Sequence, residues 1–176
     1  MKGSLRITAG VDHDKLTVTN VKSPRADIRL SGGDNELTIA GFAKLAGPVA
    51  ASRLFIDVGD GDDLLNLSTI TALNTRIRLG AGSNQLAAAF NDITTCRFGG
   101  GDGQDKVILE QSQFRSLRAD LAAGDDQVLA ASGANVKISR RLLLLGGAGA
   151  NTLDDDGLTQ LPAGPAAVTI RDFTLL

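Results

Sequence analysis

Aspartate and asparagine residues recur at one position of a series of glycine-rich segments, where their side-chain oxygens could bind a cation. Asp63, Asn84, Asp105 and Asp126 follow one another at steps of 21 residues. Carboxylate and amide oxygens are ligands of Ca²⁺, which takes about 6–8 oxygens. The same side chains also close turns, because Asp and Asn bond nearby backbone amides and tolerate the left-handed backbone region. Both kinds of chemistry are therefore open to this series.

Further acidic residues lie beside this series and define a candidate calcium site. They cluster in the glycine-rich segments around residues 60–63, 102–105 and 125–126. The candidate metal-ligating residues are Asp60, Asp62, Asp63, Asp102, Asp105, Asp125 and Asp126.

Acids and amides alternate along the series once it is extended upstream. Asp14 and Asn35 precede Asp63, so that five successive members alternate between acid and amide. Two carboxylates about 4.8 Å apart repel by about 1 kcal/mol in water and by about 3.5 kcal/mol at an effective dielectric constant of about 20. An asparagine between them removes the repulsion and can donate to both neighbours. Two interpretations stay open: a ladder of Asp and Asn side chains that needs no ion, and Ca²⁺ bound where the acids cluster.

The elements that position these side chains repeat with the same 21-residue period, which is typical of a stacked solenoid. Apolar and polar residues alternate before each glycine segment, as at Leu54, Ile56 and Val58, and again after it, as at Leu65 and Leu67. A period of two indicates half-buried strands. Each repeat, called a rung below, therefore supplies two short strands on either side of a sharp turn.

The predicted fold is an all-β parallel β-helix of about seven 21-residue coils. We expect the helix to be right-handed, because parallel crossovers are nearly always right-handed. We expect a single domain over residues 1–176, with coils over about 5–153 and a C-terminal cap over about 154–176. The segments that return the chain to the next rung, 68–74 and 110–116, are expected to be irregular. Insertions are predicted at 43–52 and 139–142. Glycine contributes 21 of the 176 residues, and Trp and Tyr are absent, which suits a narrow aliphatic core with many tight turns.

Composition argues against several classes of function. A net charge of −2 gives no electrostatic footprint for nucleic acid, and few aromatic side chains are present to stack on bases. Cys96 is the single cysteine, which excludes an internal disulfide and a cysteine-based zinc site. No apolar run is long enough to cross a membrane, and the N-terminus leads into a strand pattern with no signal-peptide core. We expect no nucleic-acid partner and no membrane insertion.

Few residues offer catalytic chemistry. His13 is the only histidine, so that neither a two-histidine zinc pair nor a serine triad can be assembled from the sequence. Cys96 falls at an inward strand position and is interpreted as a small core residue. No catalytic or cofactor-binding residue is assigned.

One column of arginines is the only pattern that invites an enzyme hypothesis. Arg76, Arg97 and Arg118 recur at 21-residue steps on the outward side of the strands. Parallel β-helix enzymes that cleave polysaccharides use Asp and Arg on an exposed sheet face. Asp57, Arg78 and Asp120 lie on the same strands, however, and would pair with neighbouring rungs, so that a solvated ladder of ion pairs is the favoured interpretation.

The glycine-rich turns resemble the haemolysin-type calcium-binding repeats of the RTX family, whose nonapeptide is G-G-x-G-x-D-x-U-x, where U is a large apolar residue. Residues 100–107 match this pattern at every fixed position, and residues 59–65 lack only the first glycine. Weaker copies lie at 32–35, 80–86 and 146–153. The resemblance implies a bacterial, secreted, parallel β-roll that binds calcium through aspartate carboxylates and backbone carbonyls. The chain departs from the family in carrying one turn per 21 residues, so all turns stack on one edge.

The expected function is a structural or adhesive repeat module of a bacterial extracellular or surface protein, stabilised by Ca²⁺ where the metal interpretation holds. The alternative is a carbohydrate-active parallel β-helix, either a glycan-binding module or an enzyme like a polysaccharide lyase or hydrolase. The expected partners are a surface glycan or other copies of the chain, and the expected location is outside the cell or on its surface, without an N-terminal signal peptide in this chain. Residues 172–176 resemble the acidic-then-apolar end of an RTX export signal, but a terminal strand explains the same residues.

Overall fold

The computed structural model describes residues 3–43, 52–163 and 167–176, and these residues form two parallel β-sheets with no helix. The chain alternates between the two sheets, so that each turn of the solenoid contributes one strand to each. The prediction of an all-β parallel solenoid is confirmed.

Sheet 1 contains the strands that precede the glycine-rich turns, in the order β1-β3-β5-β7-β9-β11-β13-β15, with β16 also pairing with β13. Its strands are β1 (Leu5–Thr8), β3 (Arg25–Arg29), β5 (Arg53–Asp57), β7 (Thr71–Arg78), β9 (Asp92–Gly99), β11 (Gln113–Asp120), β13 (Val136–Leu145), β15 (Leu158–Gln160) and β16 (Val168–Arg171).

Sheet 2 contains the strands that follow the turns, and it is 8-stranded, which gives about eight turns of solenoid where the sequence predicts about seven. Its strands are β2 (Lys15–Lys22), β4 (Glu36–Ala43), β6 (Leu64–Ser68), β8 (Gln85–Ala89), β10 (Lys106–Glu110), β12 (Gln127–Leu129), β14 (Thr152–Asp154) and β17 (Thr174–Leu175).

The core lies between the two sheets and is built from the inward side of every strand. Leu54 and Ile56 of sheet 1 and Leu65 of sheet 2 are fully buried, as the alternating pattern predicts. Strand pairs place equivalent residues of successive rungs beside one another, so that Leu54 stacks on Thr75 and Thr75 on Cys96. Burial of aliphatic columns along the whole stack is therefore the main source of stability.

The edge opposite the glycine turns is more regular than the sequence predicts. The return segments 68–74 and 110–116 were expected to be irregular, but β7 begins at Thr71 and β11 at Gln113. The chain reverses within a few residues there because Thr69 and Gln111 adopt the left-handed region, with φ of 56° and 41°. Both sheets therefore extend almost to this edge.

The two predicted insertions have different outcomes. Most of 43–52 lies outside the described residues. The second insertion was placed at 139–142, but only a shift of one residue occurs within β13, between the pairs Phe114–Ile138 and Ser116–Arg141. The other extra residues lie in the preceding turn, residues 131–135, where no strand partner constrains the chain.

The C-terminal segment continues the stack. Strand β16 pairs with β13, and β17 pairs with β14, both in parallel. The strand expected near the C-terminus is thus present as β16, and it adds a partial rung to sheet 1. The division of the chain into a single domain with a cap stays a prediction.

Candidate functional site

The glycine edge, formed by the turns that lead from sheet 1 to sheet 2, brings successive rungs into close backbone contact. Gly80 has a φ of 78°, and a Cβ atom at this residue would collide with the carbonyl oxygen of Gly59 in the preceding rung. Gly124 stands in the same relation to the carbonyl oxygen of Gly103. At these two residues glycine supplies both the left-handed backbone and the space between rungs, whereas the position equivalent to Gly80 two rungs later is held by Ala122, at a φ of 67°.

A ladder of Asp and Asn side chains runs along this edge inside the turns. The backbone N–H of Asp63 donates to Asn84 Oδ1 at 3.0 Å, that of Asn84 donates to Asp105 Oδ1 at 3.2 Å, and that of Asp105 donates to Asp126 Oδ1 at 2.8 Å. The same bond links the remaining members in order: Asp14 to Asn35, Asn35 to Asp63, and Asp126 to Asn151. The ladder predicted from the 21-residue spacing is therefore present, and each rung is hydrogen-bonded to the next.

The asparagines of the ladder donate in one direction only. Asn84 Nδ2 donates to Asp105 Oδ1 at 2.9 Å and to the carbonyl oxygen of Gly82 at 3.1 Å. Asn35 Nδ2 likewise donates to Asp63 Oδ1 at 3.0 Å and to the carbonyl oxygen of Gly33. The expectation that an asparagine donates to both neighbouring acids is wrong, because the amide also bonds the carbonyls of its own turn.

The aspartates of the ladder each bury one carboxylate oxygen that has no hydrogen-bond partner. These atoms are Oδ2 of Asp14, Asp63, Asp105 and Asp126. A Cβ on Gly100 would meet Asp105 Oδ2, just as a Cβ on Gly146 would meet Asn151 Nδ2 at 2.6 Å. The orphan oxygen of an aspartate therefore occupies the place that the amide nitrogen occupies in an asparagine rung.

Burial changes the acidity of these carboxyls. Desolvation raises the pKa of Asp63 to about 6 and that of Asp105 to about 6, although hydrogen bonds from Asn35 and Asn84 oppose the effect. Desolvation also raises the pKa of Asp126, and the neighbouring charge of Asp125 adds to it. A protonated Oδ2 can donate to the turn carbonyls as the amide of asparagine does, so the neutral acid fits this position better than the carboxylate.

The seven predicted metal-ligating residues divide into two groups. Asp63, Asp105 and Asp126 are the buried ladder members, while Asp60, Asp62, Asp102 and Asp125 lie on the exposed outside of the same turns. Three of the outer carboxylates accept hydrogen bonds: Asp60 Oδ1 from Ala81 N at 3.1 Å, Asp62 Oδ1 from Ser83 N at 2.7 Å, and Asp125 Oδ1 from Ala150 N at 2.7 Å.

The side chains of the described residues do not by themselves form a cation-binding cage. Within residues 3–43, 52–163 and 167–176, no three His, Cys, Asp or Glu side chains come together as metal ligands. Two kinds of carboxylate oxygen in the described turns are left without a hydrogen bond: the buried Oδ2 atoms of the aspartate rungs, which the asparagine rungs lack, and oxygens of the exposed outer aspartates. Calcium binding stays a prediction, and those atoms are where it would act.

A second ladder, which the sequence analysis missed, runs along the opposite edge. Ile70 N donates to Asn91 Oδ1 at 2.9 Å, and Asn91 N donates to Ser112 Oγ at 3.1 Å. Both accepting side chains are buried, and Ser112 Oγ also donates to the carbonyl oxygen of Glu110 at 2.7 Å. The 21-residue step from Asn91 to Ser112 was the available signal, but the change of residue type obscured it.

The two residues with potential nucleophilic or acid–base chemistry do not form a site. Cys96 is buried at an inward position of β9, and desolvation raises the pKa of its thiol. His13 lies at the exposed glycine edge, where its Nδ1 accepts a hydrogen bond from Asp34 N at 2.8 Å. Neither is placed to act on a substrate with the other.

The arginine column lies on the outer face of sheet 1, where strand register stacks Arg76 on Arg97 and Arg97 on Arg118. The predicted ladder of ion pairs is only partly formed. Arg78 pairs with Asp57 of the preceding rung at 3.7 Å, and Arg118 pairs with Asp120 of its own strand at 2.7 Å, but Arg76 and Arg97 pair with no carboxylate in the described part of the chain. Two adjacent guanidinium groups therefore face solvent without a counter-charge from the protein.

The outer face of sheet 1 is far more basic than the net charge suggests. All twelve arginines of the chain lie in its strands, and all are exposed: Arg6, Arg25, Arg29, Arg53, Arg76, Arg78, Arg97, Arg115, Arg118, Arg140, Arg141 and Arg171. Its strands carry only four acids: Asp27, Asp57, Asp92 and Asp120. Most of the remaining acids lie in the turns and in the C-terminal segment. The molecule thus has one basic face and one acidic edge.

Three shallow depressions lie along this face. One of 470 Å³ is lined by Arg76, Arg97 and Arg118, and one of 520 Å³ extends from Arg97 to Arg25. A third, of 340 Å³, lies between Arg118 and Arg141. The second and third follow one another across the rungs on one side of the arginine column, and the first lies on its other side, towards the glycine edge; this open surface around the column is called the channel below.

Comparison with known proteins found no matching family model, no similar curated protein and no similar solved structure. The fold is therefore established by the strand pairing alone. None of the described segments is a helix of the length and apolarity needed to span a membrane.

Proposed function

We propose that the chain is a structural and adhesive repeat module of a bacterial extracellular or surface protein, with turns of the RTX type. The observation that carries this proposal is the pair of side-chain ladders: one ties each rung to the next from Asp14 to Asn151, and the other ties three rungs from Ile70 to Ser112 along the opposite edge. About eight rungs at about 4.8 Å give a rod of roughly 38 Å. A rod so connected suits a stiff spacer that presents its outer faces to a partner.

The ladder chemistry supports a structural role for the acidic turns. Asp60, Asp62 and Asp125 hold backbone amides of the following rung, and Asp63 and Asp105 hold those of the preceding rung. Calcium, if it binds, adds stability through the orphan Oδ2 atoms, since a ligand that binds only the folded state stabilises it. We expect protein treated with a chelator to keep its β-sheet circular dichroism and to gain at most a modest rise in melting temperature from millimolar Ca²⁺. A disordered spectrum in chelator that becomes β with Ca²⁺ would instead make the ion the folding switch of the RTX family.

Removal of one whole rung tests the module proposal. Deletion of residues 85–105 joins Asn84 to Lys106, which preserves the register of both sheets and the ladder position. We expect a folded rod that is shorter by about 4.8 Å in X-ray scattering and that still serves as a spacer when displayed between a cell-surface anchor and a tag. A matched control deletes 85–95, which joins the turn to the middle of β9 and should unfold the chain. Failure of the whole-rung variant to fold or to present the tag would contradict the proposal.

The carbohydrate-active alternative is favoured by one observation, the unpaired guanidinium groups of Arg76 and Arg97 beside Asp57 and Asp120. An enzyme of this class would release reducing or unsaturated chain ends from a polysaccharide. We expect the chain to release none. Release that is lost in an Asp57→Asn or Asp120→Asn variant with unchanged melting would replace the module proposal by the enzyme.

A further inference from the structure

We propose that the outer face of sheet 1 binds a linear acidic polysaccharide, whose carboxylates pair with the column of Arg76, Arg97 and Arg118. This inference rests on the adhesive part of the proposed function and names its ligand class. It is carried by three features of the face: the segregation of arginine, the repeat of its charges, and the shape of the channel.

The segregation of arginine gives the charge complementarity. The strands of this sheet carry twelve exposed arginines and four aspartates. Of these arginines, only Arg25, Arg29, Arg78 and Arg118 form ion pairs within the described residues. Arg76 and Arg97 lie in adjacent rungs, so that their like charges repel, and neither forms an ion pair with a carboxylate of the described residues. An external anion would relieve it, and guanidinium groups bind carboxylates through two parallel hydrogen bonds.

The repeat along the face matches a polymer that carries both acids and hydroxyls. Guanidinium groups recur once per rung, at about 4.8 Å, which is close to the length of one sugar residue. A second outward column, of Asn74, Thr95 and Ser116, runs parallel to the arginine column two residues earlier on each strand. Its amide and hydroxyl groups can bond the hydroxyls of a sugar while the guanidinium groups bind its carboxylate. A chain of sugar acids presents both kinds of group along its whole length.

The shape of the channel suits a polymer better than a small molecule. The three depressions are open and adjoin one another across the rungs, from Arg25 to Arg141. Strand register places Gly99 between Arg78 and Asp120, in the column two residues after the arginines. Because Gly99 has no side chain, it leaves a gap in that column and deepens the depression of 470 Å³. Small-molecule sites are usually concave and bury most of their ligand, whereas this surface is accessible along its length.

A nucleic acid is a poorer match for the same charge. Phe55 is the only aromatic ring on the described outer face of sheet 1, and Arg29 and Arg78 lie over it at 5.5 and 5.7 Å from the ring centroid. No ring is therefore free to stack on a base, which is the main sequence-independent contact to single strands.

Calorimetric titration with polygalacturonate tests the inference. We compare the wild type with the double variant Arg76→Gln/Arg97→Gln and with the control Arg115→Gln/Arg171→Gln, which removes the same charge from the same sheet outside the column. The column variant should bind at least about tenfold more weakly, because two charge-assisted pairs are lost, and the control should stay within about twofold. Methyl-esterified polymer should not bind, and binding of the acid form should weaken as salt rises.

Three results would overturn the inference. These are no binding of the acidic polymer by the folded wild type, an equal loss in both double variants, and equal or tighter binding of single-stranded DNA. Circular dichroism of each variant and the whole-rung deletion keep the two proposals separate. If the whole-rung deletion variant folds but the folded wild type binds no acidic polymer, the proposed ligand is refuted and the module proposal is unaffected.

Discussion

At both edges of the solenoid the chain reverses direction and successive rungs are hydrogen-bonded, but the two edges use different residues to do so. At both edges a backbone N–H of one rung donates to a buried side chain of the next, as at Asp63 and Asn84 on the glycine edge and at Asn91 and Ser112 on the other. Both edges also need left-handed residues. The glycine edge uses mostly glycine, with Ala122 as an exception at a φ of 67°, whereas the opposite edge uses mostly ordinary residues such as Thr69 and Phe90, with Gly133 as an exception.

The difference arises from how closely the rungs approach. At the glycine edge a carbonyl of the preceding rung lies where a Cβ would be. At the opposite edge the left-handed residues point outward, and Phe90 is 58% exposed. A second difference follows from chemistry, because the glycine edge has ionisable side chains in its ladder and the described opposite edge has neutral ones. The glycine edge should therefore tolerate added side chains less well than the opposite edge, and it should be the more sensitive of the two to pH.

The largest effect should come from Gly80→Ala. The added methyl group meets the carbonyl of Gly59, and the left-handed backbone is strained as well, so we expect a loss of about 2–5 kcal/mol from overpacking and backbone strain together. Gly133→Ala is the matched control at the opposite edge, since Gly133 has a φ of 86° but open space around it. It should cost only about 1 kcal/mol, the price of the backbone conformation. Equal losses in chemical unfolding would show that rung contact is not what selects glycine.

Much of the fold could be predicted from the sequence because the information is repeated. The 21-residue step between Asp63, Asn84 and Asp105 and the period-two pattern around them specify one rung many times over. The opposite edge was mispredicted as irregular for a physical reason. Its left-handed residues are ordinary ones, such as Thr69 and Gln111, which give no signal comparable to glycine.

The candidate site was less predictable, because it depends on direction and on strand register. Sequence spacing finds the ladder but not which carboxylate oxygen is bonded, and the orphan Oδ2 atoms follow from that choice. The arginine column at Arg76, Arg97 and Arg118 was visible at 21-residue spacing. The confinement of all arginines to one sheet was not visible in the sequence. It appears only when β3, β5 and β13 are aligned with one another, and insertions interrupt the 21-residue spacing between them and the other strands.

The next largest effect concerns pH. The pKa of Asp63 and of Asp105 is raised to about 6 from a usual value of 3.8, so between these values the folded protein holds protons that the unfolded chain has released. Stability from these groups is therefore greatest below about pH 4 and falls as pH rises through about 6, by up to about 3 kcal/mol for each carboxyl. Urea unfolding at pH 4 and pH 8 measures this loss.

Substitution of the ladder acids isolates that effect from other titrating groups. Asp63→Asn/Asp105→Asn should raise stability at pH 8, because each amide can bond the turn carbonyls as Asn84 does, and it should flatten the pH dependence. The reverse change at the opposite edge, Asn91→Asp, should introduce a loss that is larger at pH 8 than at pH 4. If the double variant kept the slope of the parent, the orphan oxygens would not be its source.

The smallest effect should come from Ser112→Ala at the opposite edge. The change leaves the buried N–H of Asn91 without its acceptor, which should cost about 1–2 kcal/mol in urea unfolding. Ser83→Ala is the matched control on the exposed outside of the glycine edge, and it should change stability by less than about 0.5 kcal/mol. Because neither serine titrates, the loss from Ser112→Ala should be the same at pH 4 and at pH 8. A loss that grew with pH would mean that the two ladders are coupled through the stack, and the contrast between a pH-sensitive edge and an insensitive one would then fail.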